Sequence, residues 1–253
     1  MEERYSRNML IKDFGEEGQA KLKAAKALVV GAGGLGSPAL FYLTAAGVGT
    51  IGIVDDDVVN ISNLQRQILH TTHDVGRRKT ESAREKLVAL NPDVNILLYS
   101  DRFTEENAER IISEYDFVVD SCDNYATKLL INDICVKMKK PYSHGAVVSM
   151  RGEVMTYVPG SACYRCVFEM PPEDGVQPTS EQTGILGSVA GIVGSIQATE
   201  TIKYLTGMNS LITNRILIID DKAVNFLSLN VRKRSSCICD ILEMQHSAKG
   251  KRV

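Results

Sequence analysis

Short apolar runs rich in β-branched residues alternate, in the first half of the chain, with segments whose apolar positions recur at helical spacing. This alternation is typical of βα units, in which a mainly parallel sheet carries helices on both faces. The predicted strands are residues 27–30, 50–54, 94–99 and 116–120. The predicted helices are residues 35–46, 78–90, 105–114 and 125–139. Thr104 is the predicted N-cap of the third of these helices.

The second half of the chain has a different pattern. Residues 147–158 and 215–229 are predicted to be strands with short breaks, and residues 184–205 to be a long helix between them. Residues 169–181 are the one long predicted loop, and long ordered loops tend to be functional. We therefore expect the parallel sheet to continue into an antiparallel C-terminal part.

An uncharged stretch, residues 182–199, raises the question of a membrane span. A span normally requires about 20 strongly apolar residues, whereas this stretch is rich in Gly, Ser and Thr. We expect a tightly packed internal helix in which Gly187, Gly191 and Gly194 let a neighbouring element approach closely.

A single domain is expected over residues 1–253, because this length supports a substantial core and no segment has the composition of a linker. The predicted fold class is α/β, with a Rossmann-like, mainly parallel sheet flanked by helices. We expect residues 1–145 to be the nucleotide-binding half, residues 146–240 the second half and residues 241–253 a polar tail.

Charge and targeting patterns exclude several function classes. The 29 basic and 31 acidic residues nearly cancel, at a net charge of −2, so no broad basic face is predicted for nucleic acid. The first ten residues are charged and lack the continuous apolar core of a signal peptide. We therefore expect a cytoplasmic protein that binds neither nucleic acid nor membrane.

A glycine-rich turn is the first candidate for chemistry. It follows a predicted strand directly and opens a predicted helix, so backbone can approach phosphate and the helix N-terminus presents free N–H groups. Asp55, at the end of the next strand, stands where an acid binds a ribose hydroxyl. By this pattern alone, NAD and ATP fit equally well. The glycines of this glycine turn are Gly31, Gly33, Gly34 and Gly36.

Charged residues beyond Asp55 favour ATP. A dinucleotide's diphosphate is largely satisfied by the helix N-terminus, whereas ATP brings about two further charges that require Arg, Lys and a divalent metal. Arg66 and Lys79 provide cations, and Lys79 stands at the start of a predicted helix. Asp123 follows the strand that ends at Asp120 and is placed to hold Mg²⁺ against phosphate.

Alternatives stay open around these candidates. Asp120 is either a second metal ligand or a loop-stabilising acid. Asp123 or Asn124 also suits the N-cap of the helix that follows. Asp56 and Asp57 are interpreted as solvated or locally bonded acids. Gln65 and Gln67 are interpreted as braces of the loop.

Six cysteines are grouped in a way that favours metal over disulfides in a cytoplasmic chain. A C-x-x-C and a C-x-C motif together suggest a closed tetrahedral site of four thiolates, which is typical of structural Zn²⁺; disulfides or free thiols are the alternative. Cys122 and Cys135 are expected to be buried small residues or neighbours of the nucleotide site. The four candidate zinc ligands are Cys163, Cys166, Cys237 and Cys239.

A set of short motifs runs in order from about Arg4 to Asp240. They are Arg4-Tyr-Ser-Arg7, the glycine turn, SNLQRQ at residues 62–67, Lys79-Thr-Glu-Ser, Asn91-Pro92, residues 120–124 and the two cysteine pairs. Each motif is weak alone, but together they resemble the ThiF/MoeB/HesA group, the prokaryotic relatives of ubiquitin-activating enzymes.

The resemblance implies an adenylyltransferase. Its substrate would be the C-terminal glycine carboxylate of a small ubiquitin-like sulfur-carrier protein of the ThiS or MoaD type with a Gly-Gly end, and ATP would be used with release of pyrophosphate. The carrier would then serve sulfur transfer in thiamine, molybdopterin or related biosynthesis. The site must neutralise charge and align the reactants, because the substrate's own carboxylate is the nucleophile. Adenylation of a peptide or small-molecule carboxylate is the alternative, and an NAD-dependent oxidoreductase is disfavoured.

The resemblance also assigns roles position by position. Asp55 would hold the ribose, and Asp123 would bind Mg²⁺ and be the least replaceable residue. Arg7 matches an arginine that reaches from one subunit into the ATP site of its partner, which implies a homodimer. The phosphate ligands would be Asn63, Arg66 and Lys79.

The chain departs from the family pattern in two places. The family ends with a second C-x-x-C, whereas here Asp240 occupies the expected last position and is an alternative ligand. A family cysteine that can bond covalently to the carrier aligns with Ser180, so we expect adenylation without a covalent enzyme–carrier bond. No sulfurtransferase segment follows Asp240, and a separate sulfur donor is therefore expected.

Overall fold

The structure, a computed structural model, describes residues 3–168, 183–208 and 210–242. In this part of the chain eight strands form one sheet in the order β3-β2-β1-β4-β5-β6-β7-β8. The strands from β3 to β5 pair in parallel, and β6, β7 and β8 are added antiparallel. The strands are β1 Lys26–Val30, β2 Thr50–Val54, β3 Asn95–Tyr99, β4 Phe117–Asp120, β5 Tyr142–Val148, β6 Arg151–Tyr157, β7 Arg215–Asp220 and β8 Asn225–Asn230. The predicted fold class is confirmed.

Helices cover both faces of the parallel strands. Along β1, Ala27 and Val29 pack against α2, α3 and α4, whereas Leu28 and Val30 face the core under α5 and α6. Strands buried on both faces are continuous apolar runs, which is the pattern that predicted them. The helices are α1 Ser6–Met9, α2 Gly15–Ala24, α3 Gly36–Ala46, α4 Lys79–Leu90, α5 Glu105–Ser113, α6 Tyr125–Met138, α7 Tyr164–Val167 and α8 Gly187–Thr206.

The strand order reverses between β1 and β4. In such a sheet the loops after these two strands diverge and leave a crevice at the carboxyl edge, where ligands bind. Here those loops are the glycine turn and residues 121–124. They lie in contact, since a Cβ atom on Gly31 would be 2.7 Å from the carbonyl oxygen of Ser121.

The strand β5 is longer than predicted. The sequence pattern predicted a strand only from residue 147, whereas β5 begins at Tyr142 and is followed by β6 after a two-residue turn. Ser143, His144 and Gly145 interrupt the apolar pattern but are buried or nearly so. Gly145 leaves the space that Gln197 of α8 fills, because a Cβ atom there would lie 2.6 Å from the Gln197 amide carbon.

The helix α8 packs closely against the rest of the domain, as expected, and none of the helices in the described ranges is long and apolar enough to cross a membrane. A Cβ atom on Gly187 would lie 2.4 Å from the Gln65 carbonyl oxygen, and one on Gly194 would lie 2.2 Å from the Leu35 carbonyl oxygen. The prediction was wrong for Gly191, which faces open space.

Candidate active site

The glycine turn presents backbone at the carboxyl edge of the sheet. Gly31 has a φ of 100°, a conformation that favours glycine. A Cβ atom on Gly36 would lie 1.9 Å from the Gly31 carbonyl oxygen, so the turn could not close with a larger residue. No side chain in the described ranges caps α3 at Leu35. Within α3 the Ser37 N–H already donates to the Gly33 carbonyl oxygen and Pro38 has no N–H, so an anion here would be met by backbone N–H groups of the glycine turn itself, up to Gly36.

Asp55 at the end of β2 is built into this turn. One carboxylate oxygen accepts a 2.7 Å hydrogen bond from the Ala32 N–H, and the other accepts one of 3.0 Å from the Asp57 N–H. Burial raises the pKa of Asp55 above its usual value, although Lys79 acts against it. The predicted ribose-binding acid thus also fixes the turn itself.

Lys79 lies beside the same acid, at the first position of α4, and is buried. Its ammonium group is 3.9 Å from Asp55 and donates a 2.7 Å hydrogen bond to Asp57. The interpretation of Asp57 as a solvated or locally bonded acid was therefore incomplete, because its carboxylate pairs with a cation 22 positions away. The pairing was missed because Asp57 and Lys79 meet only through the loop between β2 and α4.

The SNLQRQ segment forms a short turn next to the glycine turn. Asn63 accepts a 3.3 Å hydrogen bond from the Asn60 N–H, and the Arg66 guanidinium donates one of 3.2 Å to the Ser62 carbonyl oxygen. The stem of Arg66 lies along the glycine turn, since its Cγ would be 3.5 Å from a Cβ atom on Gly34. Arg66 is half-buried, and its Cδ, next to the guanidinium, would be 3.6 Å from the same Cβ atom.

Of the two glutamines expected to brace this segment, Gln65 does so. Gln65 donates a 3.4 Å hydrogen bond to the Ile185 carbonyl oxygen, just before α8. Gln67 is buried beside Gly33, and its Oε1 has no hydrogen-bond partner in the described part of the chain.

Sequence reasoning missed His70. This buried residue bonds the Ala32 carbonyl oxygen at 3.0 Å and the Ser82 hydroxyl at 2.8 Å, so it ties the glycine turn to α4. Burial, the largest influence, lowers the pKa of His70, which favours the neutral ring. Its position in the apolar ILH sequence is the only signal that could have drawn attention to it.

Asp120 and Asp123 occupy different environments after β4. Asp120 is 1% exposed and accepts hydrogen bonds from Lys128 and His144. Burial alone would raise the pKa of Asp120, but Lys128 and the bond to His144 outweigh it and lower that pKa to about 2. Of the two interpretations left open for Asp120, the structure favours the loop-stabilising acid. Asn124 caps α6 by accepting a 2.9 Å hydrogen bond from the Thr127 N–H.

Asp123 is left without a structural role in this turn. Its side chain is exposed and forms no hydrogen bond or ion pair with residues in the described ranges. It lies three positions beyond the end of β4, on the same edge as the glycine turn. An exposed carboxylate here offers the oxygen ligands that Mg²⁺ prefers.

The N-terminal segment lies at the other end of α3. A Cβ atom on Gly47 would be 2.6 Å from the Tyr5 ring, whose hydroxyl accepts a 2.8 Å hydrogen bond from Asn91. Since α3 runs from the glycine turn to Ala46, this anchor is about 16 Å from the turn along the helix. Arg7 is exposed and makes no hydrogen bond or ion pair within the described ranges. The structure therefore separates Arg7 from the glycine turn of its own chain.

The four paired cysteines converge as predicted. Their sulfur atoms all lie within 4.8 Å of one another, and all four residues are buried. Both sulfurs of the C-x-C pair, from Cys237 and Cys239, belong to the cluster. Asp240, the alternative ligand, instead has its carboxylate 3.5 Å from the Lys233 ammonium. The cluster belongs to the core on the α6 side of the sheet. Four thiols at this separation suit a tetrahedral metal ion.

Of the remaining sequence predictions, some concern described residues and others lie outside them. Cys135 is buried in the core, and the half-buried Cys122 donates a 2.8 Å hydrogen bond to Asp120, as expected of buried small residues and site neighbours. Burial raises the pKa of both thiols. Ser180 and the predicted loop 169–181 lie outside the described residues.

The profile of the ThiF family matches residues 5–239. The chain belongs to the ThiF family. Among its ThiF relatives, the SAMP-activating enzyme E1 of Haloferax volcanii is 43% identical over 235 residues, which cover 93% of this chain and 87% of the relative. The adenylyltransferase and sulfurtransferase MOCS3 of Culex quinquefasciatus is 43% identical over 93% of this chain. The probable adenylyltransferase/sulfurtransferase MoeZ of Mycobacterium tuberculosis is 42% identical over 92% of it.

This chain spans 54% of the length of that MOCS3 and 61% of that MoeZ. Solved structures give the same fold. MccB of E. coli, in a structure with ATP, superposes with a TM-score of 0.82 at 26% identity, over 94% of this chain and 74% of MccB. A structure of the Microcin C7 biosynthetic enzyme MccB in complex with N-formylated MccA superposes with a TM-score of 0.84 at 25% identity, over 93% and 74%.

Proposed function

We propose that this chain is an adenylyltransferase that uses ATP to adenylate the C-terminal glycine carboxylate of a small ubiquitin-like sulfur-carrier protein, with release of pyrophosphate. The observation that carries the proposal is the arrangement of Arg66 and Lys79 beside the glycine turn, at the edge where Asp123 is exposed. A dinucleotide would leave these charges unexplained. The ThiF relatives with adenylyltransferase names support it, because they align over more than nine tenths of the chain.

The residues divide the work of binding ATP. Asp55 holds the ribose, and the N-terminus of α3 receives phosphate. Arg66, Lys79 and Asn63 contact the phosphates, so that the attack of a carboxylate on the α-phosphorus is not opposed by repulsion between anions. Lys79 keeps its hydrogen bond to Asp57, which directs the other donors of the ammonium group toward phosphate oxygen. Asp123 holds Mg²⁺, and that ion supplies further charge neutralisation at the phosphates.

The paired cysteines hold Zn²⁺ in a structural role. All four thiols are provided by the chain, so no position is open for a substrate. Bound by these four residues, an ion would connect α7, just after β6, to the segment after β8. Because the ligands come from segments more than 70 positions apart, the ion closes a large loop.

The second half of the chain binds the carrier. On β8, the edge strand, Phe226 is exposed on one face and Leu227 and Leu229 on the other, each at least 46%, and exposed apolar side chains of this kind favour a protein partner. We propose that residues 1–253 act as one adenylation domain, with residues 1–145 for nucleotide and 146–240 for carrier and zinc. The carrier then serves sulfur transfer in thiamine, molybdopterin or related biosynthesis in the cytoplasm, with sulfur from a separate donor.

A homodimer completes the site, with Arg7 of each subunit reaching the ATP of the other. The separation of Arg7 from its own glycine turn supports this arrangement. Mixing Arg7→Ala with Asp123→Ala subunits tests it, because a hybrid dimer has one site with both residues intact. Activity of about one quarter of wild type is expected after subunit exchange. A mixture as inactive as its parents would remove the shared site.

Pyrophosphate exchange into ATP tests the function. Exchange that depends on a carrier with a Gly-Gly end supports the proposal, and loss of exchange when the terminal glycine is deleted is the expected control. A second candidate, adenylation of a different carboxylate, is favoured by the similarity to MccB, which has been solved with N-formylated MccA. Exchange with a small acid or peptide but not with a carrier would support that candidate. Absence of exchange, together with binding of NADH, would reject both.

A further inference from the structure

A line of buried polar side chains runs from the end of β4 to the partly exposed surface of β6. Asp120 is at its inner end, His144 of β5 is in the middle and Glu153 of β6 is at its outer end. His144 Nδ1 lies 2.8 Å from an Asp120 oxygen, and His144 Nε2 lies 3.3 Å from Glu153 Oε1. The side chains of Asp120 and His144 are 2% and 1% exposed, whereas that of Glu153 is 26% exposed.

Asp120 controls the turn that carries Asp123. One Asp120 oxygen accepts hydrogen bonds from the Cys122 N–H at 3.3 Å and the Cys122 thiol at 2.8 Å. Cys122 directly precedes Asp123. The orientation of the Asp120 carboxylate therefore sets the direction in which the backbone leaves β4.

Two partners fix that orientation from different sides. Lys128 lies 3.1 Å from both Asp120 oxygens and donates a 2.8 Å hydrogen bond to the Gly145 carbonyl oxygen. His144 binds only one oxygen, which leaves the other for Cys122. With Lys128 alone, the carboxylate could rotate by half a turn without changing its contacts, because both oxygens lie at the same distance from the ammonium group. The hydrogen bond from His144 to one oxygen removes this equivalence.

The ring of His144 is itself held in place. Its centroid lies 4.6 Å from that of Tyr164 and 6.1 Å from that of Phe168, and its far nitrogen faces Glu153. A carboxylate accepts hydrogen bonds and cannot donate, so in both contacts the ring nitrogen is the donor: Nδ1–H to Asp120 and Nε2–H to Glu153. Burying the Asp120 carboxylate, the Lys128 ammonium group and the His144 imidazole together costs more than packing apolar side chains, and such an arrangement suits a site that requires one defined geometry.

We propose that His144 is a positioning residue for the use of magnesium and ATP. Oriented by Glu153, it fixes the Asp120 carboxylate, and through the bonds to Cys122 it holds the turn that presents Asp123 to the metal. This inference rests on the proposed function, in which Asp123 holds Mg²⁺. His144 itself touches neither nucleotide nor metal.

Substitutions at His144 separate positioning from packing. His144→Leu fills the site without any hydrogen bond, whereas His144→Asn keeps an N–H donor close to the Nδ1 position. Glu153→Met, at the partly exposed end, removes the acceptor and provides a variant with less risk to folding. His73→Asn is the matched control, because His73 is exposed and has no hydrogen bond or ion pair within the described ranges.

Two measurements are made on each variant: calorimetric ATP affinity at varied Mg²⁺ concentration, and exchange rate per folded chain, with the melting temperature alongside. His144→Leu is expected to raise the Mg²⁺ concentration for half-maximal ATP binding about tenfold and to lower kcat more than it raises the KM for ATP. Glu153→Met is expected to raise the Mg²⁺ concentration for half-maximal ATP binding about threefold. His144→Asn is expected to stay within about twofold of wild type, and His73→Asn to match wild type.

The proposal is overturned if His144→Leu and Glu153→Met lower the melting temperature but leave the magnesium dependence unchanged. It is also overturned if His144→Asn is as impaired as His144→Leu, because a donor to Asp120 would then be irrelevant. If His144→Leu does not fold, Glu153→Met and His144→Asn decide. If the wild type binds ATP but exchanges with no carboxylate, the proposed function fails, and the magnesium dependence of ATP binding still decides the role of His144.

Discussion

The Lys79 ammonium donates a 2.7 Å hydrogen bond to the Asp57 carboxylate, and the Lys79 N–H donates another of 3.1 Å to the Asp57 carbonyl oxygen. The two residues are thus joined by side chain and by backbone at the start of α4. Asp57 is 67% exposed at its side chain, whereas that of Lys79 is only 7% exposed. A buried lysine beside the glycine turn is in this way directed to one edge of the sheet.

Asp57→Asn is expected to lower kcat/KM for ATP about tenfold, because Lys79 loses the partner that orients its ammonium group. The backbone bond remains, so the melting temperature is expected to change little. Exchange assays over a range of ATP concentrations, with a thermal melt of the same samples, provide the measurement. Faster exchange in the variant would mean that Asp57 competes with phosphate for Lys79, which is the opposite of the role assigned here.

Arg66→Ala is expected to impair ATP use far more than folding. Within the described part of the chain its side chain makes one hydrogen bond, to the Ser62 carbonyl oxygen, so little stability depends on it. Loss of a cation at the reacting phosphates is expected to lower the exchange rate about 100-fold. Arg84→Ala is the matched control, because Arg84 is exposed on α4 without a hydrogen bond or ion pair in the described ranges. Equal loss of exchange and stability in Arg66→Ala would return this residue to a structural role.

Metal content distinguishes the cysteines from Asp240. The wild type is expected to retain about one Zn²⁺ per chain after dialysis, and Cys239→Ser to lose it, because a closed tetrahedral site requires its fourth thiolate. Asp240→Asn is expected to retain the metal, since the Asp240 carboxylate lies near Lys233 rather than in the cluster. Plasma mass spectrometry of the purified variants is the measurement. Zinc loss in Asp240→Asn with retention in Cys239→Ser would reverse the assignment.

Asp74 makes stability sensitive to acid. Its burial opposes ionisation, but hydrogen bonds from Lys86 and Thr71 outweigh burial and hold the pKa of this carboxyl well below its usual 3.8. A carboxyl whose pKa is lower in the folded chain stabilises the fold fully above pH 3.8, and this contribution is lost as pH falls further. The free energy of unfolding is therefore expected to decrease below about pH 4. Asp74→Asn should be less stable at neutral pH and less sensitive to acid.

Urea denaturation between neutral pH and pH 2 provides the test of Asp74. Asp101→Asn is the control, because Asp101 is exposed and forms no ion pair within the described ranges. If Asp74→Asn lost stability on acidification as steeply as the control, the pH dependence would have to arise from other carboxyls.

The first half of the chain was largely predictable because its signals are local. A strand that is buried on both faces is a continuous apolar run, and the glycine turn and Asp55 are fixed relative to such strands by sequence distance alone. The cysteine cluster was predictable for a related reason, since few functions other than metal binding require two close pairs of cysteines in one chain. The sequence could not show which of Asp120 and Asp123 is buried.

The contacts that sequence reasoning missed join residues far apart in the chain. Lys79 meets Asp57 across the loop that follows β2, and His144 meets Asp120 from the neighbouring strand. In β5 the buried polar residues hid the strand, because hydrophobic periodicity treats a buried histidine as exposed. Such residues are tolerated in a core only with partners, and those partners come from other elements.

The central claim is that the reaction product is a carrier with AMP on its C-terminal glycine. Incubation of the chain with ATP, Mg²⁺ and a ubiquitin-like carrier ending in Gly-Gly, followed by mass spectrometry of the intact carrier, tests it directly. The expected result is a carrier that gains the mass of an adenylyl group, which is AMP less one water, located on the last glycine, with no gain when that glycine is deleted or when Asp123→Ala replaces the wild type. A carrier that stays unmodified while the chain binds ATP, or AMP attached elsewhere on the carrier, would contradict the account.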